Sequence, residues 1–173
     1  VKKSDLENIS LVRGYNRDQG LMIDGKNSGK VTSLEDAIEQ DLTIINRNPT
    51  SGTRKLLDNR LKQIAQERSV SFTELKKNID GYDVEVNTHA GVASAVKSGK
   101  SDLGIGIKTS AVQNNLDFIK IQEEKFDFLF RRDILKTDTG KAFLHTLKSN
   151  RFKEKLKKLE GISPASEMGD IIY

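Results

Sequence analysis

The middle of the chain alternates short β-branched runs with stretches of helical spacing, and this alternation narrows the fold more than any other feature. Residues 42–46 (Leu-Thr-Ile-Ile-Asn) have the composition of a buried strand. From Thr53 the apolar positions Leu56, Leu57, Leu61, Ile64 and Ala65 fall at helical intervals. A second helix is predicted over residues 72–79, with Ser71 as cap and Glu74 at the third helical position. Residues 84–86 alternate as a strand, and residues 92–97 read as a helix ended by Ser98 and Gly99. Residues 102–107 supply a further strand, and a short helix follows from Thr109 or Ser110. Repeated strand–helix units imply an α/β fold with a largely parallel sheet, because each crossover returns the chain to the same end of the sheet.

The two ends of the chain add strands that do not belong to that unit. Residues 9–13 read as a short strand ending at Gly14 and Tyr15, followed by a polar loop over residues 16–20 and a second apolar run at 21–23. Residues 24–29 are turn-rich, and a short helix starts at Thr32 or Ser33 and ends near Gln40. Residues 118–121 form a strand, and Phe126, Phe128 and Phe130 alternate along another over residues 125–131. Residues 140–149 and 151–159 are amphipathic helices whose stripe is Phe143, Leu147, Phe152, Leu156 and Leu159. A two-lobed arrangement fits: residues 25–117 form a contiguous lobe two, and residues 1–24 with 118–173 form lobe one. Hinges are expected near residues 24–27 and 113–118.

Composition excludes several function classes. No Cys is present, so disulfides, thiol catalysis, iron–sulfur clusters and Cys-ligated zinc are ruled out. The two His, His89 and His145, are far apart, and no metal site is expected. No apolar run approaches the ~18 residues of a membrane span. The charged opening Val1-Lys2-Lys3-Ser4-Asp5 leads into no apolar stretch, so no signal peptide is predicted and the expected location is cytoplasmic. A chain that opens on Val rather than Met is expected to be processed or cut from a longer protein. The net charge of +4 favours anionic partners weakly.

Two strand-to-helix junctions carry the candidate chemistry. The first, residues 46–54, holds hydroxyls at Thr50, Ser51 and Thr53, with Gly52 allowing close backbone approach and Arg54 able to pair with an oxyanion. The second, residues 87–92, contains Thr88 and His89. A helix start presents free N–H groups and the positive end of its dipole, and ligands of α/β folds bind outside the carboxyl ends of strands. Each residue also has a plain structural reading. Ser, Thr and Asn before helices are ordinary caps. His89 reads equally as a structural hydrogen-bonding residue, and Arg54 can pair with Asp58 one turn on. Residues 25–31 imitate a P-loop, but only three residues separate Gly25 from Gly29 and Val31 follows Lys30, so that reading is rejected. Gly104-Ile105-Gly106 lacks the third glycine of a dinucleotide fingerprint, and no Gly-x-Ser-x-Gly occurs. The basic run over residues 151–158 reads as a solvated helix face.

Taken in order, Arg17-x-Gln19-Gly20-Leu21, then Asn46-Arg47-Asn48-Pro49-x-Ser51-Gly52-Thr53-Arg54, then Gly81-Tyr82-x-x-Glu85, then Thr88-His89-x-x-Val92-Ala93 make a recognisable series. It closes with Gly99-x-x-Asp102-x-Gly104. The series resembles the periplasmic-binding-protein-like domain related to molybdate- and tungstate-binding proteins. That domain occurs fused to molybdopterin biosynthesis proteins and to some helix-turn-helix regulators. The resemblance spans about Ile9 to Ile172. It implies a type II, two-lobed α/β clamp with mostly parallel sheets that closes on a small ligand, an oxyanion such as molybdate or tungstate.

Carried over by motif, the ligand contacts would be Ser51, Gly52, Thr53 and Arg54 at one helix start and Thr88 and His89 at the other. Arg17 and Gln19 would lie near the crossing strand. The family's domain starts earlier, so lobe one is expected to be incomplete, with weaker ligand binding and an edge free to pair with another chain. The implied function is a non-catalytic, cytoplasmic binding module linked to molybdenum cofactor biosynthesis or its regulation. It would have no intrinsic cofactor, no catalytic residue, no membrane partner and no direct nucleic-acid contact. It would act beside a fused or neighbouring molybdopterin-biosynthesis or DNA-binding domain, in a parent that is itself a molybdopterin biosynthesis enzyme or a regulator. Two other readings stay open. One is a transferase or hydrolase on a phosphorylated or pterin-linked substrate, with His89 as acid or base, against which the lack of a carboxylate beside either junction argues. The other is a structural domain with a vestigial cleft.

Overall fold

The computed structural model describes residues 8–173; residues 1–7 of the predicted lobe one lie outside the described residues. Two compact units emerge, one of Asp18–Gln122 and one of residues up to Arg17 together with Glu123–Tyr173. Two long strands, β1 (Ile9–Ile23) and β5 (Asp117–Arg131), carry the chain from one unit to the other. The units therefore divide inside these strands rather than at the turns beyond them. Residues Leu21, Met22 and Ile23 remain paired with a strand of the larger unit and are buried in it.

The larger unit contains α1 (Leu34–Glu39), β2 (Ile44–Arg47), α2 (Gly52–Glu67), α3 (Phe72–Lys77), β3 (Glu85–Val86), α4 (His89–Lys97), β4 (Leu103–Ile107) and α5 (Lys108–Gln113). Its strand order is β3-β2-β4-β1-β5. β2 runs parallel to both β3 and β4, as the alternation implies, and β1 joins antiparallel to β4 with Gln19 opposite Ile107 and Ile23 opposite Leu103. Side chains that alternate along a strand face opposite sides of the sheet. Accordingly Leu21, Ile23, Ile44, Leu103 and Ile105 join Leu57, Leu61 and Ile64 in one core, while Met22 and Ile45 join Val92, Ala93 and Val96 in another. Helices thus cover both faces, which explains why these strands read as continuous apolar runs.

The smaller unit adds a 3-10 turn (Ile134–Lys136), α6 (Asp138–Lys148), α7 (Asn150–Lys157) and β6 (Ile162–Pro164) to its parts of β1 and β5. Val12, Leu135, Leu147, Leu156 and Met168 are its buried centre, with Phe128, Phe130, Phe143 and Phe152 packed against them. Phe128 meets Phe143 edge-on at 5.2 Å, and Tyr15 stacks on Phe126 at 5.2 Å. β6 lies antiparallel to β1 with Tyr15 opposite Pro164 and Arg17 opposite Ile162, and residues 169–173 also bond back to β1 through Leu11 and Arg13.

Three expectations are corrected here. The loop predicted at residues 16–20 is the centre of one fifteen-residue strand, β1. Its polar residues are engaged there: Arg17 by Glu124, Asp18 by Lys120 and Gln19 by Gln122. The two strands predicted at 118–121 and 125–131 are likewise one, β5, and β6 was not foreseen.

Asp102 ties three segments of the larger unit at the start of β4. Its carboxylate accepts from the Thr43 amide at 3.0 Å and the Asn27 side chain at 3.4 Å, and lies 2.9 Å from the Lys26 ammonium. Burial pushes its pKa up, but the Lys26 hydrogen bond, the Thr43 amide and the Lys26 charge outweigh burial and hold it below the ordinary carboxylate value. A depressed carboxyl stabilises the folded state above the unfolded pKa of ~3.9 and loses that effect as pH falls through the folded value. Asp102→Asn is therefore expected to cost about 1 kcal/mol at neutral pH, a cost that shrinks as pH falls through the depressed folded value. Urea titrations across that range check it; parallel curves for the two proteins would refute the assignment.

Candidate functional site

Both candidate junctions lie at the C-terminal ends of neighbouring parallel strands, so α2 and α4 start at the same edge of the sheet. Ser51 caps α2, its Oγ accepting from the Arg54 amide at 3.0 Å, and Thr88 caps α4, its Oγ1 accepting from the Gly91 amide at 2.9 Å. Capping and ligand binding are compatible here, since a side-chain cap satisfies one of the several amides that a helix start leaves open.

Arg47, the last residue of β2, links the two junctions, and the sequence reading did not assign it a role. It is 9% exposed. Its Nη2 donates to the Asn87 carbonyl at 3.0 Å, and its Nη1 stands 3.1 Å from His89 Nδ1. A guanidinium only donates, so Nδ1 accepts and a neutral His89 ring carries its proton on Nε2. The Arg47 carbonyl in turn accepts from Arg54 Nη1 at 3.2 Å. The signal was present in the Asn46-Arg47 pair closing the strand, but nothing in the spacing showed that the guanidinium turns toward residues 87 and 89.

Arg54 takes the structural alternative. Its Nε donates to Asp58 at 3.0 Å, its Nη1 to Glu85 at 2.8 Å, and its guanidinium lies over the Tyr82 ring at 4.5 Å. The Tyr82 hydroxyl also donates to Asp58 at 2.8 Å. Burial pulls the Arg54 pKa down, but the bonds with Tyr82, Glu85 and Asp58 prevail and hold it above the ordinary value. Burial also raises the Tyr82 phenol, with the Asp58 bond acting in the same direction. Arg54 therefore ties α2 to the β2 end and to β3. The expectation that no carboxylate stands beside a junction is corrected, because Glu85 on β3 reaches Arg54.

The remaining candidates separate. Gln19, 1% exposed, places Nε2 3.5 Å from Thr53 Oγ1 and accepts from Gln122 at 3.0 Å, so Gln19, Thr53, Ser51 and Gly52 share the α2 start. Thr88 and His89 share the α4 start. Arg17 belongs to the other unit, where Glu124 pairs with it and the Phe126 ring lies 4.4 Å below its guanidinium. Among the described residues no cluster of three or more His, Asp or Glu is placed to hold a metal ion, and no described helix is long and apolar enough to cross a membrane.

A parallel-stranded α/β unit with two helix starts and a buried arginine at one sheet edge is the framework of a ligand-binding domain. The chain belongs to the PBP superfamily: the model of the PBP superfamily domain matches residues 2–148. It is 31% identical over 157 residues to YvgK, an uncharacterised protein of Bacillus subtilis, covering 90% of this chain and 47% of YvgK. It is 35% identical over 96 residues to an uncharacterised protein encoded beside a ferredoxin gene in Clostridium pasteurianum, covering 55% of this chain and 84% of that protein. The chain thus spans about half the length of YvgK. Among solved structures, L-phospholactate-bound PEB3 superposes with a TM-score of 0.66 at 14% identity, over 90% of this chain and 68% of that one. The substrate-binding domain of a putative molybdenum ABC transporter from Clostridium difficile superposes with a TM-score of 0.59 at 16% identity, over 94% and 71%. These likenesses establish the periplasmic-binding-protein-like fold.

Proposed function

We propose that the edge formed by the starts of α2 and α4 binds a small oxyanion of the molybdate or tungstate type, without covalent chemistry. The observation that carries this reading is Arg47, a buried cation spanning from the end of β2 to His89 and Asn87. The charge of its guanidinium, the Ser51, Thr53 and Thr88 hydroxyls and the helix amides make a set suited to an anion. The molybdenum-transporter neighbour and the phospholactate held by PEB3 are in keeping with an anionic ligand. In this reading the domain serves molybdenum cofactor biosynthesis or its regulation in the cytoplasm, beside a molybdopterin-biosynthesis or DNA-binding partner, as the sequence resemblance implies.

Thermal unfolding with molybdate, tungstate, sulfate and phosphate tests the reading. A ligand at a hundredfold its Kd adds about 2.7 kcal/mol to stability and so raises Tm. Ser51→Asp is the discriminating variant. Asp is as good a cap as Ser, so folding stability should hold, while its charge repels an anion at the α2 start. A selective rise with one oxyanion that disappears in Ser51→Asp is the expected result. No rise with any of the four, or an equal rise in the variant, would sink the oxyanion site.

A further inference from the structure

The smaller unit carries a second surface with a chemistry of its own. A groove of about 360 Å³ is lined by His145, Thr146, Ser149, Arg151, Phe152 and Lys155. No Asp or Glu is among these lining residues. Lys141, His145 and Lys148 recur at helical intervals along α6, and Arg151, Lys155 and Lys158 do so from the start of α7 onward. All six are exposed. Lys148 pairs with Asp170 at 2.7 Å and Lys141 weakly with Asp138 at 3.9 Å, while the ion pair on α7 joins Lys157 to Glu154. Phe152, half-buried and packed on the unit's core, forms the apolar wall of the groove. The neighbouring hydroxyls are used within the helices: Thr146 donates to the Ala142 carbonyl and Ser149 to that of Thr146.

The geometry points to this groove as a docking site for an acidic, extended protein segment that presents one apolar side chain to Phe152. Charge complementarity selects an anion, and the aromatic wall selects an amphipathic one. Length decides between a polypeptide and a nucleic acid. Each basic stripe spans seven helical steps, or ~10 Å along a helix. Three residues of extended peptide, at ~3.3 Å each, match that length and set carboxylates beside Arg151 and Lys155, the cations that line the groove. A DNA duplex binds through ~6–10 phosphate contacts spread over a longer track. Of the five Lys and Arg residues on the two stripes, four are Lys, single-point donors suited to individual carboxylates rather than to bidentate capture of phosphates or bases.

The test is fluorescence anisotropy on the whole chain at physiological salt, with a labelled peptide carrying a central Leu between two runs of Glu. Saturable binding is expected. Arg151→Glu with Lys155→Glu should weaken it at least ~tenfold, and Leu→Ser in the peptide should weaken it ~fivefold or more. Both substituted residues are exposed, and unchanged thermal unfolding will show that the variant is folded. Equal binding by the charge-reversed variant, indifference to the peptide's Leu, or tighter binding of a mixed-sequence DNA duplex than of the peptide would each overturn the proposal. The oxyanion test is read at Ser51 and this one at Arg151 and Lys155, which share no residue, so the two readings fail separately.

Discussion

Gly20→Ala is expected to remove about 3 kcal/mol of stability, a large share of the ~5–15 kcal/mol that holds a domain of this size. Gly20 sits in β1 hard against the backbone of β5. A methyl group there would lie 2.0 Å from the Ile119 carbonyl oxygen and 2.9 Å from the Phe118 ring. The obstruction is backbone, so no rotamer change relieves it, and the strands must separate locally. That separation would disturb the core contacts of Leu21 and Ile119 on the same strands. Gly25→Ala is the matched control, because nothing lies within 4 Å of the added carbon. Urea unfolding should show a markedly lower midpoint for Gly20→Ala and a nearly unchanged one for Gly25→Ala. Equal midpoints would mean that β1 and β5 can part without cost.

Arg54→Met is the second large effect, at about 2–3 kcal/mol. Removing one partner of a buried ionic network costs ~3–5 kcal/mol. The Asp58 and Glu85 side chains keep 24% and 34% of their exposure, so water recovers part of that loss. The remainder is the stacking on Tyr82 and the bond to the Arg47 carbonyl. Pairing Arg54→Met with Glu85→Gln should recover part of the loss, because the second change removes a stranded charge. A double-mutant cycle with no coupling between the two positions would show that Glu85 is a bystander. Under the proposed oxyanion reading the variant should also bind the anion less well, since Arg54 anchors the carbonyl of Arg47, the residue that reaches His89.

What the sequence revealed follows from where information is local. The helices were legible because their apolar spacing and their caps, Ser33, Ser51, Ser71 and Thr88, are written in adjacent residues. The parallel strands were legible because both faces are buried. β1 was broken in two on paper because Gly14 and Gly20 look like turn residues. Their actual cause is long-range: a Cβ at either would strike a β5 carbonyl oxygen at 2.0 Å. The polar stretch between them looks like a loop until its partners, a hundred residues away, are seen. The candidate site was legible as two capped junctions. Arg47 and Glu85 were not, because their roles depend on how two strands pair, with Asn46 opposite Glu85 and Arg47 opposite Val86.

The Arg47–Arg54–Glu85 chain has a practical consequence. Glu85 grips Arg54 from the outer strand while a third of its own side chain faces solvent. It thus ties the outer strand to the start of α2 from a position open to solvent. Shortening it to Asp keeps the acceptor carboxylate but draws it back by one methylene, whereas Gln replaces one acceptor oxygen with an amide donor. Under the proposed oxyanion reading, a panel of variants at this one position would show whether the outer strand influences which anion binds.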